Sequence, residues 1–187
     1  NVENAMGVIA AGRALGLSFE SIAGGLSSFG GVKRRQEVRA EIRGVMVIDD
    51  FAHHPTAVRE TIAAVHRRHP ERRLWAVFEP RSNTSRRNIH QAEYAQAFTG
   101  SNRASIKVPE PHDKVPSDEQ LDVPVLIDAL QAAGIEADSA ASVDELVERV
   151  ATQSRPGDVI LVMSNGSFGG LIDKLIAELR KKAQGSR

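Results

Sequence analysis

Three short apolar runs decide most of what this chain can become: Val45-Met46-Val47-Ile48, residues 74–78 and residues 159–163. Each has the length and makeup of a buried strand. Helical patterns stand between them. Val58, Ile62 and Val65 recur after Pro55, whose fixed φ suits a first helical position. Val143, Leu146, Val147 and Val150 form a stripe behind the capping box Ser142-Val143-Asp144-Glu145. Strands alternating with helices predict an α/β domain built on a parallel sheet.

The rest of the chain arranges itself around that frame. Residues 4–17 read as a small-residue helix, and Ser18 as the N-cap of a second helix carrying Phe19, Ile22, Ala23 and Leu26. Residues 27–31 close this pair, which is too small to bury itself and reads as the tail of a preceding domain. Residues 38–42 alternate as a half-exposed strand does, Arg43-Gly44 turns, and residues 45–50 return, so a β-hairpin opens the main domain. Further on come a helix at 88–98, a strand at 104–108, a proline-rich loop at 109–116, a helix at 123–133 and a weak strand at 135–137. Phe168, Leu171, Ile172, Leu175, Ile176 and Leu179 line one side of the last helix. The predicted fold is Rossmann-like: a mostly parallel sheet flanked by helices, opened by a hairpin and preceded by a helical tail.

Composition removes several classes of function. Lys plus Arg equals Asp plus Glu at 24 each, so no basic field invites nucleic acid or an anionic membrane. Cysteine is absent, which excludes disulfides, thiolate metal sites and a cysteine nucleophile. No apolar run reaches membrane-spanning length and nothing resembles a signal peptide, so the cytoplasm is expected. The chain starts at Asn1 and enters a helix at once, hence the expectation of a piece of a longer polypeptide.

The residues able to do chemistry collect directly after the three apolar runs. They are Asp49-Asp50-Phe51-Ala52-His53-His54, then Glu79-Pro80-Arg81-Ser82-Asn83-Thr84, then Ser164-Asn165-Gly166-Ser167. Open α/β sheets bind ligands outside the carboxyl ends of their strands, and a doubly wound sheet would bring all three clusters to one rim. The third is expected to open the last helix, where free backbone N–H groups favour an anion. Plainer readings stand beside each: a turn residue for a lone acid, a surface charge for Arg81, a tight turn for Asn165-Gly166. His53-His54 is not read as a metal site, because adjacent side chains rarely converge on one ion. Residues 166–170 superficially resemble a dinucleotide fingerprint, but they follow the last strand and lack the ribose-binding acid downstream.

Asp50-Phe51-Ala52-His53-His54-Pro55-Thr56-Ala57-Val58 closely resembles the opening of the C-terminal domain of the Mur ligases, ATP-dependent amide-forming enzymes of bacterial cell-wall metabolism. The resemblance covers essentially the whole chain. It implies that residues 1–34 are the tail of a central ATP-binding domain and 35–187 the C-terminal, amine-substrate domain. Asn1 and Asn4 are similar to the end of the family's asparagine motif, which borders ATP. Arg35, in Arg35-Gln36-Glu37, matches an arginine that reaches ATP phosphate or ribose, with Arg34 a close competitor. Asp50 matches an aspartate that contacts the nucleotide on closure. His53 lies where the L-alanine-adding branch places a histidine on its amino acid. By resemblance, then, Asp50, Arg35 and His53 take the catalytic roles, and Asn1, Asn4, Arg35 and Asp50 hold the nucleotide.

All three polar clusters depart from the L-alanine-adding branch. They are similar to the branch that joins the murein tripeptide L-alanyl-γ-D-glutamyl-meso-diaminopimelate to UDP-N-acetylmuramate in wall recycling. Because the second and third loops should line the amine site, substrate contacts are expected from His53, Arg81, Asn83, Arg86, Asn165, Gly166 and Ser167. The resemblance implies ATP and Mg2+, held mainly by upstream domains of the same chain. This stretch has no Gly-x-x-x-x-Gly-Lys-Ser/Thr loop and is expected to be inactive alone. Two rivals remain, an L-alanine-adding ligase and a stand-alone nucleotide- or peptide-binding module. Asn1, Asn4 and Arg35 argue against the second, which has no use for half of an interdomain ATP site.

Overall fold

The computed structural model describes residues 2–110 and 115–185, so Asn1 and part of the proline-rich loop lie outside the described residues. The chain divides into two compact units, Asn1–Val32 and Lys33–Arg187. The first is a helical pair, α1 (Val2–Ala14) and α2 (Phe19–Ser28). Ser18 caps α2 as expected, its hydroxyl accepting from the Ser21 N–H at 3.1 Å. Gly12 leaves the room that Ile22 fills, since a Cβ there would stand 2.8 Å from Ile22 Cδ1.

The second unit is a six-stranded sheet in the order β1-β2-β6-β3-β4-β5. Its strands are β1 (Glu37–Ile42), β2 (Val45–Asp50), β3 (Arg73–Phe78), β4 (Arg103–Lys107), β5 (Glu136–Ala140) and β6 (Asp158–Met163). Among these six strands the β1–β2 hairpin pairs antiparallel and the other pairings are parallel. Arg43 and Gly44 turn the hairpin with φ of 52° and 78°, the paired positive values that match strand twist in a two-residue turn.

Side-chain alternation sends each central strand into two cores at once. Ile48, Leu74, Phe78 and Leu161 face one side, packed by Val58 and Ile62 of α3 (Pro55–Arg68), Tyr94 of α4 (Gln91–Ala97) and Leu126 of α5 (Val123–Ala132). Val47, Trp75, Val77 and Ile160 face the other, covered by Leu146 of α6 (Val143–Gln153) and Leu175 of α7 (Leu171–Gly185). Burial on both faces is why β2, β3 and β6 read as unbroken apolar runs.

Three elements differ from expectation. β5 runs to Ala140 rather than stopping at 137, because Asp138 pairs with Arg103 and Arg149 instead of marking a loop. The helix expected from residue 88 starts as a short 3-10 turn, Asn88–His90. The last helix begins at Leu171, because Phe168, Gly169 and Gly170 hold φ of 46°, 55° and 72°. Residues 164–167 therefore do not form its N-terminus. A left-handed run separates them from it.

Candidate functional site

Strand register brings the three polar clusters together. Asp50 and Phe78 both lie level with Met163, so β2, β6 and β3 end side by side. The ladder continues past them: Ser164 N–H donates to Asp50 O at 3.2 Å, and Glu79 N–H to Met163 O at 3.1 Å. The loops are also tied by side chains. Ser164 Oγ donates to Glu79 Oε2 and accepts from the Gly166 N–H at 2.9 Å.

The two neighbouring aspartates point to opposite faces of the sheet. Asp50 is buried, and its carboxylate accepts from Gln36 N–H at 2.9 Å, Ala52 N–H at 2.7 Å and Thr61 Oγ1 at 3.4 Å. It therefore fixes the turn into α3 and does not stand open, unlike the ligand-facing strand-end acid that the sequence suggested. Asp49 is equally buried and meets Arg34 Nε at 3.5 Å and Arg39 Nη1 at 3.4 Å. Burial raises its pKa above the ordinary carboxylate value, against the pull of Arg34 and Arg39. A cavity of about 270 Å3 opens between Asp49, Arg39 and the Ser164–Ser167 segment.

The paired arginines divide their work. Arg34 is tied inward: Nη2 donates to the carbonyls of Ser164 and Gly166, both at 2.6 Å, and its own carbonyl accepts from Phe51 N–H at 2.9 Å. Arg34 also adopts φ 58°, a costly value for a residue with a side chain that this web of bonds holds in place. Arg35 is exposed, its guanidinium resting over the Phe51 ring at 5.4 Å. Of the two, Arg35 faces outward.

His53 Nδ1 donates to Phe51 O at 3.0 Å, which leaves Nε2 of the neutral ring as an acceptor. Tyr94, its hydroxyl held protonated by burial, donates to the His53 carbonyl. His54 turns away and packs edge-on against His90, ring centroids 4.7 Å apart. Among the described residues, no group of three acidic or histidine side chains is placed to hold a metal ion.

On the next loop, Arg81 lies directly over Gly166. A Cβ at residue 166 would fall 1.5 Å from its Nη1, so glycine there makes the approach possible. Ser82 folds the loop back, its Oγ accepting from Ser85 N–H at 3.0 Å and its carbonyl from Arg86 N–H at 3.1 Å. Asn83 and Ser167 are exposed. Arg86 Nε and Asn165 Oδ1 are buried with no hydrogen-bond partner. Of the expected site residues, Asp50, Arg35, His53, Arg81, Asn83, Arg86, Asn165, Gly166 and Ser167 thus belong to one unit and its strand-end loops. Asn4 is an exposed residue of α1 in the other unit, and Asn1 is outside the described residues. Thr61 and Tyr94 were not foreseen. They act across 11 and 41 residues, and no local pattern marks them.

Comparison with known proteins gives one consistent answer. Residues 34–166 match the family model described as Mur ligase, glutamate ligase domain. The UDP-N-acetylmuramate–L-alanyl-γ-D-glutamyl-meso-2,6-diaminoheptandioate ligase of Escherichia coli is 36% identical over 189 residues, covering 100% of this chain and 39% of the relative. The UDP-N-acetylmuramate–L-alanine ligase of Chloroflexus aggregans is 34% identical, covering 97% and 38%. The crystal structure of the murein peptide ligase Mpl from Psychrobacter arcticus superposes with a TM-score of 0.69 at 35% identity, over 95% of this chain and 36% of that one. The chain thus spans about two fifths of the length of the curated relatives it matches.

Proposed function

The chain belongs to the Mur ligases and carries their C-terminal domain, and from that premise we propose that its parent protein attaches the murein tripeptide to UDP-N-acetylmuramate. Residues 1–34 are then the tail of a central ATP-binding domain, and 35–187 present the amine substrate to it. ATP, with Mg2+ held mainly by upstream domains, supplies the phosphoryl group that turns the muramoyl carboxylate into an acyl phosphate, which the tripeptide amine attacks with loss of phosphate. The cytoplasm is the proposed compartment; among the described residues no helix is long and apolar enough to cross a membrane.

The contribution of this domain is positioning and charge. Arg35, outward and without a hydrogen bond among the described residues, is free to meet nucleotide phosphate or ribose. Asp50 holds the turn that carries His53, and His53 offers Nε2 to the incoming amine. The observation that carries the tripeptide reading is Arg81. Its guanidinium lies over Gly166 and makes no hydrogen bond to a described residue, and Asn165 Oδ1, on the residue before Gly166, is buried and unpaired. A substrate with several carboxylates and amides supplies partners for both without using its reacting amine, whereas L-alanine has one carboxylate and no donor besides that amine. The likeness to L-alanine ligases keeps that activity as the competing reading. Offering the full-length protein UDP-N-acetylmuramate, ATP and either amine decides between them. Amide formation with the tripeptide and none with L-alanine supports the proposal, and the reverse overturns it.

A further inference from the structure

Two segments of the carboxyl rim meet at one side chain, that of Arg34. Its Nη2 donates to the carbonyls of Ser164 and Gly166, so both hydrogens of that nitrogen are spent on the loop after β6. Bonds from a charged donor are the strong ones, and here they converge on a single short loop. The consequence passes to Arg81. Its guanidinium lies over Gly166, so close that a Cβ there would fall 1.5 Å from Nη1. Arg34 thus fixes the floor on which Arg81 rests.

The same residue sets the stance of Arg35, which stands between two left-handed residues, Arg34 at φ 58° and Gln36 at φ 51°. Each of these is secured by its own N–H, Arg34 to Glu37 Oε2 at 2.8 Å and Gln36 to Asp50 Oδ2 at 2.9 Å. The Arg34 carbonyl accepts from Phe51 N–H, and the Phe51 ring centroid is 5.2 Å from Arg34 Cζ and 5.4 Å from Arg35 Cζ. Among the described residues, four that are not glycine hold positive φ. Arg43 turns the hairpin; the other three, Arg34, Gln36 and Phe168, border the two segments that the Arg34 side chain joins. Strained backbone held by this many bonds is a mark of pre-organisation.

We infer that Arg34 is a positioning residue that holds Arg35 and Arg81 in one frame, an assignment that rests on the reading above of Arg35 as the nucleotide's partner and Arg81 as the tripeptide's. Arg34 acts on the nucleotide through Arg35, and on the tripeptide through Gly166 and Arg81. This accounts for an arginine at a position whose backbone suits glycine. The guanidinium is what the position needs.

Arg34→Gly separates side chain from backbone, because glycine accepts φ 58° without strain and removes only the guanidinium. In steady-state kinetics of the full-length ligase it should raise the KM for ATP and the KM for the tripeptide, each by about threefold to tenfold, the scale of coupling between residues in contact. The UDP-N-acetylmuramate KM should not move. Double-mutant cycles supply the readout that a merely structural role would leave additive. In an Arg35→Ala background Arg34→Gly should no longer affect ATP, and in an Arg81→Ala background it should no longer affect the tripeptide. Additive losses in either background, or a rise in one KM alone, overturn the inference. If Arg34→Gly does not fold, Arg34→Gln, whose shorter amide lacks both the reach and the charge, goes through the same cycles and the same outcomes decide. If Arg35→Ala by itself spares ATP, or Arg81→Ala by itself spares the tripeptide, the reading beneath fails and takes the inference with it. That result differs from single variants that behave as expected and cycles that add.

Discussion

Two polar clusters occupy the same sheet and are completed in opposite ways. Under α6, Asp138 accepts from Arg103 at 2.7 Å, from Ser105 Oγ at 2.8 Å and from Arg149, while Ser105 accepts from Trp75 Nε1 at 3.0 Å. Arg103 stacks on the Trp75 ring at 3.9 Å, although its Nε is buried without a hydrogen-bond partner. At the carboxyl rim, Arg35, Arg81 and Arg86 make no hydrogen bond to described residues through their side chains, and Asn165 Oδ1 is buried and unpaired. Both clusters are rich in arginine. Charge alone therefore does not mark a site; the pairing does.

Asp50 tests where the boundary between the two kinds of cluster falls, because it sits at the rim but is bonded like the interior. Asp50→Ala strands the Gln36 and Ala52 N–H groups, at about 1–3 kcal/mol for each unsatisfied buried donor. The loss should be about 3 kcal/mol by urea unfolding, together with more than a tenfold fall in kcat/KM of the full-length enzyme. A variant as stable as the parent but inactive would move Asp50 to the ligand side.

Asp138 should show stability without function. Its side chain is 25% exposed, so removing it should cost somewhat less than the 3–5 kcal/mol of a fully buried pair, about 2–3 kcal/mol. The substrate constants should not move. A raised tripeptide KM in Asp138→Ala, with folding intact, would break the contrast.

Arg81 should show function without stability. Arg81→Ala removes an exposed side chain, so unfolding should shift by no more than about 0.5 kcal/mol. The tripeptide KM should rise about ten- to a hundredfold, while the ATP and UDP-N-acetylmuramate constants stay within a few-fold. If ATP weakens and the tripeptide does not, the loop serves the nucleotide.

The fold was legible where burial is two-sided: β2, β3 and β6 announce themselves because both faces are apolar. It was less legible where polar groups are buried by pairing, as at Asp138, since a carboxylate that ends a pattern in sequence continues a strand in space. The meeting of three polar clusters after three strands, which makes the candidate site, was legible too. What each polar group does there was not, because Asp50 is committed by Gln36 and Thr61 and Arg34 by residues 130 and 132 positions away. The resemblance named two competing arginines. Only the geometry separates the inward from the outward one.

The smallest effect concerns Asp49, the partner of Asp50 on the opposite face, whose contacts are arginines where Asp50 has backbone N–H groups. Burial raises its pKa, and Arg34 and Arg39 only partly offset that. The folded chain therefore binds this proton more tightly than the unfolded chain. Between the unfolded pKa, about 3.9 for an ordinary Asp, and the raised folded value, the native state holds more protons, so the Asp49 contribution to stability falls as pH rises. Above the folded pKa it levels off. Asp49→Asn removes this titration and keeps the shape. Subtracting its unfolding free energy from that of the parent, in urea titrations across this window, should give a difference that declines with rising pH and then becomes flat. A difference that climbs with pH would mean that the two arginines outweigh burial. Asp49 would then be an ordinary ion pair of the kind found under α6, and the division between the rim and the interior would have to be drawn elsewhere.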